Sequence, residues 1–319
     1  MTRLKGPTAF ILGAPKCGTT AIAQYLSETP GVCMSDPKEP NFFCTDIHPH
    51  DRGFTSYDDY LEQCFGHQKS SDKARVEATV WNLYSHVAVP EILKIQPEAK
   101  FIVMLRNPVD MALSLYSHRC DTGHETRRDF QTAFKRSIGE RGFIDGTSRA
   151  NNIDYSDMCK LGAQVARLLS IVDRDSVFFG FLDDLRDRPE WLWKQVCEHI
   201  GVDPGDRREF PAVNIRHRVP RKTLGLPLRA HAIRLVGNPP IPIMKLRNAL
   251  LACLPIKGFG TLRYRKRIQN AMREEGLRAE QEPEFTRELV DHFKEDVGIL
   301  SELTGTDLES WSCLGSENS

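Results

Sequence analysis

The sequence predicts an α/β protein, a three-layer fold with a central, mostly parallel sheet flanked by helices. Three observations carry this. Apolar runs of strand length stand at TAFILG (residues 8–13), KFIVML (100–105) and VFFGFL (177–182). Strands buried on both faces read this way, without polar alternation. The first two runs lead into helical periodicity, and helices are predicted on both sides of the third. Finally, the first run opens into a glycine-spaced loop before its helix. Strands alternating with helices pair in parallel through right-handed crossovers. Ligands of such sheets bind at the carboxyl ends of the strands.

The helix after the first loop spans Thr19 to Glu28 and stops at Pro30-Gly31. After KFIVML, Asn107 suits a helix cap and Pro108 a first turn. That helix runs to about His118, with Val109, Ala112, Leu113 and Tyr116 apolar. Residues 120–156 are polar and read as a long surface excursion. Helices are predicted over Asp157–Val172 and Arg188–Ile200, on either side of VFFGFL. Residues 283–304 form an amphipathic helix, with Phe285, Leu289, Phe293, Val297 and Leu300 on one face. The final GSENS reads as a frayed tail over 315–319. No repeat or low-complexity tract divides the chain, so residues 1–319 are expected to form one domain.

Composition is that of a globular protein, 40% hydrophobic and 27% charged, with 43 basic and 43 acidic residues. Zero net charge points away from a polyanion partner such as nucleic acid. No apolar run of signal-peptide or membrane-spanning length is present, which leads to the expectation of a cytoplasmic protein. The nine cysteines are odd in number, scattered and without a CxxC pair. That fits a reducing compartment better than a disulfide framework or a zinc site. Charge is uneven, however. Phe210 to Arg273 holds 14 Lys and Arg and no Asp or Glu, on an otherwise acidic chain.

The loop itself is GAPKCGTT, residues 13–20. A nucleotide-hydrolysing phosphate loop reads G-x-x-x-x-G-K-[ST]. Gly13 and Gly18 keep that spacing, but Thr19 occupies the lysine position and the lysine moves inside, to Lys16. A strand-loop-helix turn aims backbone N–H groups and the positive helix end at one anion. Thr19 and Thr20 add hydroxyls, and Lys16 can neutralise charge on a leaving oxygen.

P-K-x-G-T-T after a strand resembles the 5′-phosphosulfate loop of the sulfotransferases, which use 3′-phosphoadenosine 5′-phosphosulfate as donor and have a P-loop-like fold. KFIVMLRNPVDMALSLYSH (100–118) resembles their 3′-phosphate segment, LRNPxDRAxSxY, although Met111 stands where many members carry arginine. KEPNFF (38–43) resembles the KEPHFF stretch of the carbohydrate-type and bacterial branch, and VEATVWNLY (76–84) their GEATPSYL, with Val80 in place of proline. The resemblance implies a donor site of Pro15, Lys16, Cys17, Gly18, Thr19 and Thr20 at one end and Arg106 and Ser114 at the other. Cys17 contributes there through its backbone. It implies Lys16 and Glu39 as the catalytic pair, with Glu39 the base; His118, one turn past Ser114, is the rival base by position.

For Glu77 and Thr79 two readings stand, lining the acceptor side or ending a strand. The expected reaction is in-line transfer of a sulfonate to an alcohol or amine on a carbohydrate, a lipid-linked molecule or a small molecule, without a metal. The alternative is a small-molecule kinase or nucleotide-binding protein with a degenerate loop, for which only Asp183 or Asp184 could help hold Mg²⁺. For 210–273 three readings stand: a packed helix with a solvated basic face, an arm near the donor, or peripheral contact with an anionic membrane.

Overall fold

The three apolar runs become three adjacent strands of one sheet. The computed structural model describes residues 5–47, 53–122, 124, 125, 127, 129–139, 153–211 and 283–312. Within these, β1 (Ala9–Gly13), β2 (Val32–Met34), β3 (Ala74–Ala78), β4 (Lys100–Leu105) and β5 (Val177–Phe181) pair in parallel in the order β2-β3-β1-β4-β5. Central β1 lies between β3 and β4, with Phe10 level with both Glu77 and Phe101. Ala9 through Leu12 and Phe101 through Leu105 are at most 1% exposed. Burial on both faces is why these segments are continuous apolar runs.

The helices are α1 (Thr19–Ser27), α2 (Tyr57–Phe65), α3 (Ala88–Ile95), α4 (Pro108–Asp121), α5 (Phe130–Ser137), α6 (Tyr155–Met158), α7 (Leu161–Leu169), α8 (Leu182–Asp187), α9 (Pro189–His199) and α10 (Pro283–Thr304). As predicted, Asn107 caps α4, its Oδ1 accepting from the N–H groups of Val109 and Asp110 at 3.0 and 3.4 Å. The five apolar residues of α10 are buried, and the helix packs on α7 and α4.

Several expectations need correction. The predicted 157–172 helix is two helices, α6 and α7. Asp154 caps the first, and the buried Asp296 of α10 accepts from the Gly162 and Ala163 N–H groups at the start of the second, both at 2.8 Å. The 120–156 excursion contains α5, whose Asp129 cap accepts from Thr132 N–H at 2.7 Å. The third strand ends at Phe181, and Leu182 begins α8. Seven cysteines, Cys17, Cys33, Cys44, Cys64, Cys120, Cys159 and Cys197, are free and buried. Cys253, Cys313, the tail 315–319 and the basic segment beyond Pro211 lie outside the described residues.

Candidate active site

Lys16 and Gly18 shape the loop after β1. Lys16 has φ 66° and Gly18 φ 89°, both left-handed. For an L-residue such as Lys16 this costs about 1–2 kcal/mol. Left-handed residues interspersed in a turn make successive N–H groups converge into an anion nest. The N–H groups of Lys16, Gly18, Thr19 and Thr20 donate to no backbone carbonyl of the described residues. Gly18 caps α1 without a side-chain bond, and no acidic residue occupies the first turn. The positive end of α1 is therefore open. Pro15 and Cys17 are buried. The Cys17 Sγ turns inward, 3.4 Å from Pro15 O and 3.8 Å from Met111 Sδ, and burial pushes its pKa up to about 12. Cys17 is thus an inert packing residue with its backbone in the loop, and Met111 is its partner in the core.

Arg106, one residue past β4, reaches back to this loop. Its Nη1 donates to Lys16 O at 3.1 Å, and its Nη2 lies 3.5 Å from Asp110 Oδ2. The side chain is 12% exposed, and its buried Nε has no partner. Ser114, also buried, has no hydrogen bond to Oγ among the described residues. Such unpartnered groups are rare in a packed interior. Asp110, Ser114 and His118 follow one another at one-turn spacing along α4. Burial, then the neighbouring Arg106 cation, lowers the Lys16 pKa. The His118 rim is open to solvent, yet desolvation by the surrounding chain, followed by Lys16, lowers its pKa to about 4. The ring is therefore uncharged at neutral pH.

Glu39 comes from the other side, on the loop between β2 and α2. Its φ is 64° and that of Asn41 is 56°, so two strained residues flank Pro40 in KEPNFF. The Glu39 N–H donates to Ala78 O at 2.9 Å, which fixes the loop to the end of β3. Lys38 Nζ lies 2.6 Å from Glu39 Oε1, and the Glu39 side chain is 35% exposed. Glu39 is close enough to Lys16 for its charge to raise the Lys16 pKa.

The structure therefore brings Lys16, Arg106 and Glu39 to one end of the sheet, with Ser114 on α4 beside them. Glu77 and Thr79 end a strand: both are 0% exposed and neither faces solvent. Lys38 is a charged neighbour that the sequence reading passed over, although it adjoins Glu39 in the motif. An open groove of about 540 Å³ starts at Thr20 and Lys38 and follows α1 and the β2 edge towards His67 and Lys69.

A parallel sheet whose central strand feeds an open anion loop holding Lys16, with Arg106 just past the next strand, defines a phosphate-loop-type α/β fold. The sequence profile of the sulfotransferase domain matches residues 7–210, and the chain belongs to the sulfotransferase family. Mouse (Mus musculus) heparan sulfate glucosamine 3-O-sulfotransferase 6 is 32% identical over 115 residues, 36% of this chain and 31% of that protein. The matched part is thus under a third of that relative's length. The crystal structure of a sulfotransferase from Alicyclobacillus acidocaldarius superposes with a TM-score of 0.66 at 22% identity, covering 97% of this chain and all of that one. That likeness is one of fold. Sulfonyl transfer is the chemistry of the family.

Proposed function

We propose that this chain moves a sulfonate group from 3′-phosphoadenosine 5′-phosphosulfate to a hydroxyl or amine by in-line displacement, with Glu39 as general base. The observation that carries the reading is the bond from Arg106 to the Lys16 carbonyl. It joins a nest of free N–H groups to a second cationic centre, as a donor with two anionic ends requires. The residues fit such a donor. The open N–H groups of Lys16, Gly18, Thr19 and Thr20 and the hydroxyls of Thr19 and Thr20 hold the phosphosulfate. The unpartnered Arg106 Nε and Ser114 Oγ supply donors for the 3′-phosphate.

Lys16 neutralises charge growing on the leaving phosphate oxygen. Glu39 accepts the proton of the attacking group. Most of the acceleration then comes from positioning and charge stabilisation, as in phosphoryl transfer. The sulfonate carries less charge than a γ-phosphate, and the reading assigns no metal. The kinase alternative finds less support, since Asp183 and Asp184 are paired with Arg186 and Arg188 at 3.3 and 2.9 Å.

The acceptor is a carbohydrate, a lipid-linked molecule or a small molecule. The name of the mouse relative makes heparan sulfate the first glycan to try. No helix among the described residues is long and apolar enough to cross a membrane. Isothermal titration tests the donor: adenosine 3′,5′-bisphosphate binds and ATP with Mg²⁺ does not. The reverse preference overturns the assignment. Radiolabelled sulfate transfer onto a panel of glycans, lipids and phenols then identifies the acceptor class.

A further inference from the structure

Glu77 is a carboxylate in the middle of a sheet. It lies on β3, level with Phe10, and is 0% exposed. An apolar residue of similar volume at such a place is often neutral or stabilising, so the carboxylate needs a reason beyond the core. Both oxygens are engaged. Oε2 accepts from Tyr60 OH at 2.8 Å and Oε1 accepts from Asn82 Nδ2 at 3.1 Å.

Tyr60 and the nearby Thr79 both lead to the KEPNFF loop. Thr79 Oγ1 accepts from the Asn41 N–H at 3.4 Å. The Tyr60 ring stacks on Phe42, with centroids 4.4 Å apart and 19° between planes, and meets the edge of Phe43 at 5.8 Å. Glu39 therefore stands between a backbone tether at Ala78 and a residue, Asn41, tethered to Thr79. Both Glu39 and Asn41 hold left-handed backbones, a geometry that persists only where the surroundings enforce it.

We propose that Glu77 is a positioning residue for Glu39, acting through Tyr60 on Phe42 and Phe43, beside the Thr79 tether on the Asn41 amide. This rests on the assignment of Glu39 as the base. The hydrogen-bonded carboxylate fixes the height of the Tyr60 ring on which the loop leans, while Thr79 holds the Asn41 N–H. The Glu39 backbone then has one conformation instead of several, and its carboxylate one place relative to Lys16.

The test uses the full chain carrying Thr79→Val, Thr79→Ser, Tyr60→Phe and Glu39→Gln, and the Thr79→Val/Glu39→Gln double variant. Amide hydrogen exchange is followed at 39–43. Turnover is read as release of adenosine 3′,5′-bisphosphate, with heparan sulfate as acceptor probe and with water alone. Thr79→Val and Tyr60→Phe should raise exchange in the loop by about tenfold or more and lower kcat about 10–100-fold. Affinity for adenosine 3′,5′-bisphosphate should not change. Thr79→Ser, which keeps the hydroxyl, should restore both readouts. In the Glu39→Gln background Thr79→Val should cost nothing further.

Unchanged exchange or kcat in Tyr60→Phe, with Glu39→Gln inactive, overturns the positioning role and leaves the base assignment standing. An equal cost in both backgrounds overturns it too, since Thr79 would then support the fold alone. Full turnover in Glu39→Gln removes the base and its positioning together.

Discussion

Replacing Gly18 by alanine should weaken both the fold and the anion loop. At φ 89° an added Cβ would lie 2.6 Å from Leu185 Cδ2 and 3.1 Å from Leu182 Cδ1, both on α8. Holding an L-residue in the left-handed region costs about 1–2 kcal/mol. The nearest atom is a terminal methyl, so Leu185 can yield by leaving its rotamer, at about 0.5–1.5 kcal/mol. Together these give about 1.5–3.5 kcal/mol. For a domain of this size that lowers Tm by about 3–14 °C. Scanning calorimetry measures this loss, and titration with adenosine 3′,5′-bisphosphate should show weaker binding, because the 16–20 N–H groups no longer converge. In a Leu185→Ala background the rotamer part should vanish and the backbone part remain. An unchanged Tm for Gly18→Ala, or complete rescue by Leu185→Ala, would refute the reasoning.

Lys16→Ala should lower turnover by about 10²-fold or more with an unchanged Tm; full activity would remove the sulfonate-transfer role of the loop. Because burial and Arg106 lower the Lys16 pKa, the charged form should be lost on raising pH earlier than for an ordinary lysine. The alkaline fall of kcat/KM for the donor should lie below pH 10.5 and move upward in Arg106→Ala. Arg106→Ala should weaken adenosine 3′,5′-bisphosphate binding by about 1.5–3 kcal/mol and Ser114→Ala by less, both read by calorimetry. Glu39→Gln should keep that affinity and lose turnover; if it keeps both, His118 becomes the base to test. Sedimentation with anionic vesicles at low salt should carry the chain down and release it at moderate salt. No binding at low salt removes the membrane reading of the basic segment.

The half of the sheet legible in advance is the half with apolar sequence. β1, β4 and β5 announce themselves as unbroken hydrophobic runs. β2 is three residues long and only partly buried, and β3 reads ARVEA. Its Glu77 is made tolerable by Tyr60 and Asn82, 17 residues before it and 5 after. A pairing across that distance leaves no local period to find. The same applies to the break between α6 and α7, which depends on Asp296, more than 130 residues away. The loop, Arg106 and Glu39 were legible because each belongs to a short motif with fixed spacing. The tie between Arg106 and the Lys16 carbonyl was not, since it depends on how β1 and β4 are staggered at the irregularity between Ile11 and Gly13.

The order of the strands also divides labour across the molecule. The proposed donor contacts come from the ends of β1 and β4, while Glu39 hangs on the far side, on a loop that leaves β2 and leans on β3. The seam between the two territories runs between β1 and β3. A lineage can rework the outer margin to serve a different acceptor while the proposed donor contacts stay as they are. The groove beside β2 opens on that margin, and there the chain has room to diversify.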